Sequence, residues 1–470
     1  MKDQIRLFNT LNRDYEIFTP LKNKEVMIYH CGPTVYWTQH IGNMRAAFFG
    51  DIIHRTLLYA GYKVIFVRNY TDVGHLSGDN EGDADTGEDR MQKAARREAS
   101  TPEAIARKYQ QMFDADLEAL NILTPDHRPH ATEYIQAMIA MIEELIAKSY
   151  AYQTELAIYF DTTKLSDYYK LSGQTKEKLT SGAGTGEVRD SDKHNPADFA
   201  LWFFKKGVHS KALQTWLNPF SDVEGFPGWH IECSAMIKEI LGTTIDIHLG
   251  GIEHIPIHHT NEIAQSESLN NAPLAHYWLH NEHLDVDGAK MSKSDGTSYS
   301  LADVISKGYS PLDLRYFFLQ AHYRSKQNFT WEALKAAQTA RTRLNTQMKA
   351  LPQNGKVNID WKSRFKEALF NDFNTAQALG VVNEMLKSDI DGADKRATIL
   401  SFDTVLGLEL DMIKEGTMEV PNEIQTLFDL RKQARDAQNW EKSDSLRDEM
   451  LSLGYEVHDT PQGQRISKKI

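Results

Sequence analysis

Two apolar runs of strand type bracket a helix near the amino terminus, and that order leaves few folds open. Val26-Met27-Ile28-Tyr29 is the first run, and the loop Cys31-Gly32-Pro33-Thr34 follows it. Residues 42–60 then place Phe48, Ile52, Leu57 and Leu58 at helical spacing, the period of one apolar helix face. Gly61 stands where a helix ends in a left-handed residue. Val64-Ile65-Phe66-Val67 is the second run. Strand, helix and strand with a short return predict a parallel unit. A doubly wound sheet of such units binds ligands beyond the carboxyl ends of its strands, and Cys31 lies just past such an end.

The remainder predicts an α/β front half, interrupted by an insertion, and a helical back half. Residues 134–147 read as an amphipathic helix and residues 157–160 as a strand. The glycines of residues 181–186 follow no strand and open no helix, so that stretch reads as a linker rather than a phosphate loop. A helix over 230–241 closes at Gly242, a strand covers 244–249, and a second helix starts at His258 after Pro256. Beyond about Ser300 the pattern is almost wholly helical. Starts are marked by Ser300 with Asp303, by Ser310 with Pro311 and Asp313, and by Thr330.

Apolar residues at 41% and charged residues at 25% exclude a disordered or collagen-like chain. No stretch reaches the roughly 18 uninterrupted apolar residues of a membrane helix. The amino terminus has no apolar core of the secretory type, which predicts a cytoplasmic protein and no membrane partner. A net charge of −12 argues against non-specific coating of nucleic acid, but local basic patches can still bind RNA. The two cysteines, Cys31 and Cys233, read as thiols in a reducing compartment rather than a structural disulfide.

Those thiols, with His258 and Glu262 four residues apart on one helical face, make a set that suits tetrahedral zinc. Spacing equally admits His259, three before Glu262, and His230, three before Cys233. His40-Ile41-Gly42-Asn43 lies in the loop that opens the first helix, where phosphates meet the positive helix end. A plain helix-starting loop fits there too. Lys290-Met291-Ser292-Lys293-Ser294 carries two lysines on a loop that can close on a polyphosphate. No Gly-x-x-x-x-Gly-Lys-Ser/Thr string exists, which disfavours a P-loop.

Taken together, Cys31-Gly-Pro-Thr-Val-Tyr running into His40-Ile-Gly-Asn, the later Lys290-Met-Ser-Lys-Ser and the metal set resemble a class I aminoacyl-tRNA synthetase, and within that class the cysteinyl-tRNA synthetases. Ala197-Asp-Phe-Ala-Leu-Trp, Gly228-Trp-His-Ile-Glu-Cys and His258-His-Thr-Asn-Glu-Ile-Ala-Gln agree. The likeness runs from Leu7-Phe-Asn-Thr to Asp459-Thr-Pro-Gln-Gly. Asn43 departs from the generic class signature, Gly74-His75-Leu76 from a familiar Asp-Asp-Lys, and Thr260 from a glutamate.

The resemblance implies that Cys31, Cys233, His258 and Glu262 hold one zinc ion, which selects His258 over His259. It places Thr71 and Trp229 in the amino-acid pocket. It gives His40 and Asn43 to the first ATP signature, Lys290 and Lys293 to the second, and expects Mg²⁺ with ATP. The implied fold is a Rossmann-like catalytic domain in two halves, residues 1–120 and 214–268, around a connective insertion at 121–213. A stem-contact segment at 269–330, a helical bundle at 331–419 and an anticodon-binding domain at 420–470 would follow. In that last stretch Arg431 to Arg435 read as opening a helix containing Trp440. Aromatic and basic side chains of this kind can take splayed RNA bases. A core Trp440 with a solvated charged face fits as well, and the resemblance implies anticodon binding for the segment as a whole. Arg465, Lys468 and Lys469 lie near its tail.

The implied activity is ligation of L-cysteine to tRNA(Cys) through a cysteinyl-adenylate, by a monomer. Cysteine and serine differ by sulfur for oxygen, which a hydrophobic or hydrogen-bonding pocket separates poorly. A metal that prefers thiolate separates them directly, so no editing domain is expected. A ligase of the same body that joins cysteine to a small sugar amine would share the zinc and ATP signatures but lack residues 420–470. A non-catalytic zinc-dependent RNA-binding protein would need neither His40 nor the lysine pair.

Overall fold

The structure, a computed structural model, describes residues 4–74, 90–174, 190–291, 296–412, 421–460 and 463–468. They fall into two compact units, divided between Leu410 and Asp411.

The first unit opens with an antiparallel ribbon, β1 (Arg6–Asn9) and β2 (Asp14–Ile17). β3 (Glu25–His30), α1 (Ile41–Tyr59) and β4 (Lys63–Arg68) then form the expected parallel unit. Gly61 takes φ +88, the left-handed geometry that lets the chain turn back after α1. α2 (Arg90–Arg97), α3 (Pro102–Ala119) and α4 (Ile135–Ala147) follow. An antiparallel sheet comes next, of β5 (Ala151–Gln153), β6 (Ala157–Phe160), β7 (Phe199–Phe204) and β8 (Gly225–Pro227).

α5 (Trp229–Ile240), β9 (Ile245–Gly251), α6 (His258–Asn270) and β10 (Ala275–Asn281) return the chain to the parallel sheet. The strand order is β10-β9-β3-β4. Connections run outward in both directions from the β3–β9 seam, so the carboxyl ends of β3 and β9 flank the crevice where a doubly wound sheet takes its ligand. All seven residues of β9 are buried, as expected of a parallel strand covered on both faces.

A hairpin of β11 (Leu284–Val286) and β12 (Ala289–Lys290) leads into the lysine string that begins at Lys290. α7 (Leu301–Ser306), α8 (Pro311–Leu319), β13 (Gln327–Phe329) and α9 (Trp331–Ala350) follow. α10 (Ile359–Phe370), α11 (Thr375–Lys387) and α12 (Gly392–Leu406) complete the unit. Ser300, Ser310 and Thr330 cap their helices as the sequence indicates. β13 departs from the helical expectation because a three-residue strand is too short to show a period. It exists by pairing in parallel with β11.

Arg315, on α8, is fully buried and ties the carboxyl ends of α3 and α12 to the middle of α1. Its Nη2 meets Asp51 Oδ2 of α1 at 2.6 Å. Nε donates to the Leu406 carbonyl at 2.6 Å, and Nη1 to those of Leu120 and Asn121 at 3.0 Å. Gly407 has φ +65, and a Cβ there would lie 2.5 Å from Arg315 Nη2.

The second unit contains α13 (Asn422–Asp436), α14 (Trp440–Ser452) and a hairpin of β14 (Tyr455–Thr460) and β15 (Gly463–Lys468). This corrects the sequence reading twice. The hairpin was not expected, and Arg431 to Arg435 close α13 rather than opening the helix of Trp440. Gln438, at φ +56, turns the chain between the two helices. Arg431 is buried and donates to Gln464 Oε1 at 2.7 Å, so it holds the hairpin to α13. Trp440 is 56% exposed and therefore not core.

Candidate active site

Cys31 leaves the end of β3, Cys233 projects from α5, and His258 with Glu262 from one face of α6. Cys31 Sγ lies 3.9 Å from Cys233 Sγ and 3.6 Å from Glu262 Oε1. His258 Nε2 lies 2.8 Å from the same carboxylate oxygen. One donor atom from each of the four residues lies within 4.8 Å of every other. Both cysteines are free thiols, since 3.9 Å is nearly twice an S–S bond.

Cys31, His248, His259 and Glu262 form a second, overlapping set, with His259 Nε2 at 3.3 Å from Cys31 Sγ. The first set holds two sulfurs and the second only one. A sulfur-rich S₂NO set suits zinc. With the first set as ligands, His248, His259 and His280 would form an outer ring. His248 Nε2 pairs with Glu262 Oε2 at 2.8 Å, leaving Oε1 directed to the cluster. His259 Nδ1 meets His280 Nε2 at 2.7 Å, and His280 Nδ1 meets Thr10 Oγ1 at 2.9 Å. Such outer bonds orient metal-binding side chains.

The electrostatics are those of a cation site. Burial pushes the Cys31 thiol up, and hydrogen bonding with Cys233 adds to it. Burial also acts on Cys233, but bonds to Cys31 and His258 outweigh it and leave that thiol at about 7. Burial disfavours His258 as a cation, yet the Glu262 charge raises it to about 10. Glu262 resists its own burial because His248 and His258 hold it well below the carboxylate range. Protons thus occupy a point where a divalent ion could replace them.

Thr71 is buried, and its hydroxyl donates to Glu232 Oε2 at 3.0 Å. Trp229 opens α5, and its ring stacks on His258 with centroids 4.4 Å apart and 19° between planes. Both pocket candidates therefore adjoin the cluster, Thr71 through the residue that precedes Cys233.

His40 is the N-cap of α1. Its Nδ1 accepts from the backbone N–H of Gly42 at 3.1 Å and of Asn43 at 3.3 Å. The Asn43 side chain returns the bond, accepting from His40 N–H at 3.2 Å. A nitrogen that accepts twice carries no proton, so the imidazole proton sits on Nε2. A Cβ on Gly42 would lie 2.4 Å from Met291 Cε, the flexible end of that side chain. The stretches His40-Ile41-Gly42-Asn43 and Lys290-Met291 therefore touch. Lys290 is exposed at the end of β12. Lys293 lies outside the described residues, as do the segments at 75–89 and 181–186 and Lys469.

Sequence reasoning missed Glu232, His248 and His280. A polar side chain in a fully buried strand, as His248 is in β9, was the available signal.

Residues 17–339 match the catalytic domain of class I (C) tRNA synthetases, residues 364–410 the DALR domain, and residues 417–466 the anticodon-binding domain of cysteinyl-tRNA ligases. A cysteine–tRNA ligase from Burkholderia lata is 42% identical over 98% of this chain and 96% of its own. Another, from Chlorobaculum tepidum, is 38% identical over 99% of each. Among solved structures, Mycobacterium tuberculosis methionyl-tRNA synthetase with methionyl-adenylate superposes with a TM-score of 0.56 at 15% identity. It covers 85% of this chain and 95% of its own. That likeness establishes a shared fold.

Proposed function

The chain belongs to the cysteine–tRNA ligase family of class I aminoacyl-tRNA synthetases, and from that membership we propose how its site works. The activity is ATP-dependent attachment of L-cysteine to tRNA. Our reading gives Cys31, Cys233, His258 and Glu262 one zinc ion. Its main support is the convergence of those four donors at the carboxyl edge of the sheet, beside the cap of α1. Zinc bound there favours a thiolate ligand and disfavours a hydroxyl, which stays protonated at neutral pH.

The residues of the chain do the rest by alignment and charge. Thr71 commits its proton to Glu232, and its oxygen, which also accepts from Asn69 Nδ2 at 3.4 Å, keeps a lone pair for the substrate ammonium. Trp229 covers His258 and keeps water from that side. The substrate carboxylate attacks the α-phosphorus of ATP, and pyrophosphate leaves. His40 donates from Nε2 to the phosphate oxygens, with Asn43 holding the turn that aims it. Lys290 and Lys293 neutralise the departing pyrophosphate, and Mg²⁺ would accompany ATP, held largely by its phosphates. The terminal ribose hydroxyl of tRNA(Cys) then attacks the adenylate carbonyl and releases AMP.

A connective insertion at 121–213, a stem-contact segment at 269–330 and an anticodon-binding domain at 420–470 complete the proposal. So do a monomeric state and a cytoplasmic location, the latter supported by two reduced thiols. Among the described residues no helix is long and apolar enough to cross a membrane. A ligase acting on a small sugar amine has no use for the anticodon-binding match at 417–466.

The test is attachment of labelled cysteine to total bacterial tRNA, with labelled serine in parallel. Cysteine charging without serine charging is expected. Cysteine-dependent ATP–pyrophosphate exchange without charging would move the acceptor to a small amine. Cys233→Ser should lose bound zinc, read by metal analysis, and most rejection of serine. Full zinc with unchanged serine rejection would overturn the assignment.

A further inference from the structure

In a chain of net charge −12, the stretch from Arg90 to Lys108 carries six basic and two acidic side chains. Its basic groups are ordered. Met91, Gln92, Ala94 and Ala95 bury one side of α2, while Lys93, Arg96 and Arg97 are exposed at the i, i+3, i+4 spacing of one helical stripe. Two of the basic groups of α2 lie on aromatic rings of a single loop. The Arg97 guanidinium sits 3.8 Å from the Trp37 ring centroid, and that of Arg90 5.7 Å from the Tyr36 centroid. Tyr109 stacks against Trp37 with 14° between planes. Arg97 is steadied by bonds to Glu98 at 2.9 Å and to the Tyr109 hydroxyl at 3.4 Å.

The position of that loop gives the patch its meaning. Tyr36 and Trp37 belong to the stretch that runs from Cys31 of the metal cluster to His40, the cap of α1. Gln39 Nε2 fixes the loop by donating to the carbonyls of Thr34 and Trp37, both at 3.1 Å. Stacked planes interleaved with cations are the chemistry that holds single-stranded nucleic acid without reading its sequence. Bases stack on aromatic rings and arginine planes, and lysine and arginine neutralise phosphates.

We propose that Trp37, Arg97, Lys93 and Arg96 form the surface that receives the unpaired 3′ end of the tRNA and leads its terminal ribose to the adenylate. The inference rests on the ligase reading above. The Arg97–Trp37 stack supplies a platform for a base, and Lys93 and Arg96 take the flanking phosphates. No base identity is read here, so the surface serves any single strand that ends in the right place.

The experiment is the double variant Lys93→Ala, Arg96→Ala in the full-length chain. Alanine preserves helix propensity in α2. Cysteine-dependent ATP–pyrophosphate exchange should stay within about twofold of the wild type. The KM for tRNA should rise about tenfold. The slope of log affinity against log salt should fall by about 1.4, the value for two single-strand phosphate contacts. A stem–loop bearing only the acceptor arm should show the same loss, which separates this surface from the anticodon end. Trp37→Leu should raise the KM for tRNA while leaving the salt slope unchanged. A wild-type chain that charges tRNA beside a double variant with unchanged KM and slope overturns the proposal alone. Exchange and charging that fall together in the double variant also overturn it. A wild-type chain that charges no tRNA overturns the ligase reading, and this proposal with it.

Discussion

His40 uses its two ring nitrogens for different tasks. Nδ1 caps α1 by accepting from Gly42 and Asn43, and Nε2 is the donor assigned to phosphate. His40→Asn separates the two. Asparagine is a strong N-cap, so the melting temperature should hardly move. Loss of the Nε2 donor should lower cysteine-dependent ATP–pyrophosphate exchange by about 10²–10³, the usual effect of removing one donor from a developing anion. A variant with full exchange would leave His40 as a cap only. The His40 string was legible in the sequence because a helix start is a local event. Cys31, Cys233, His258 and Glu262 were legible as ligand types, although spacing left His259 in play. Glu232 and His280 were not, because they act on site residues through folds of the chain that no local pattern encodes.

At the scale of elements, Arg315 joins α8 to α1 and to the carboxyl ends of α3 and α12. Those helix ends carry unpaired carbonyls, and one guanidinium satisfies three of them while pairing with Asp51. Arg315→Met should cost about 3–5 kcal/mol in a denaturant titration, the usual effect of stranding a buried charge. Because Arg55 still reaches Asp51 at 3.0 Å, the lower end is expected. A loss below about 1 kcal/mol would show that Arg55 suffices. Elements with local signals were legible: Ser300, Ser310 and Thr330 announced their helices. Asp287-Gly288 was an available hairpin signal, and both residues take positive φ. β14 also carried one, since Tyr455 and Val457 alternate with Glu456 and His458. Their apolar side packs with Ile424 and Met450. β13 had none, because its pairing partner β11 lies some forty residues away.

At the scale of the whole molecule, the boundary after Leu410 separates two bodies with their own cores. A chain lacking residues 420–470 should fold and keep its ATP–pyrophosphate exchange within about twofold. Its KM for tRNA should rise at least tenfold, a loss of more than about 1.4 kcal/mol of binding. Equal loss of exchange and charging would make the last segment a structural support. The eight residues between Cys31 and His40 have a pharmacological consequence. On the proposed reading, one short strap would hold a thiol-selecting group at one end and a phosphate donor at the other. A compound carrying a thiol and an adenylate on one rigid spacer would meet the second grip at millimolar effective concentration once the first had closed. Resistance through that strap would be self-defeating, since any residue change that loosens the hold on the drug also loosens the hold on both natural substrates.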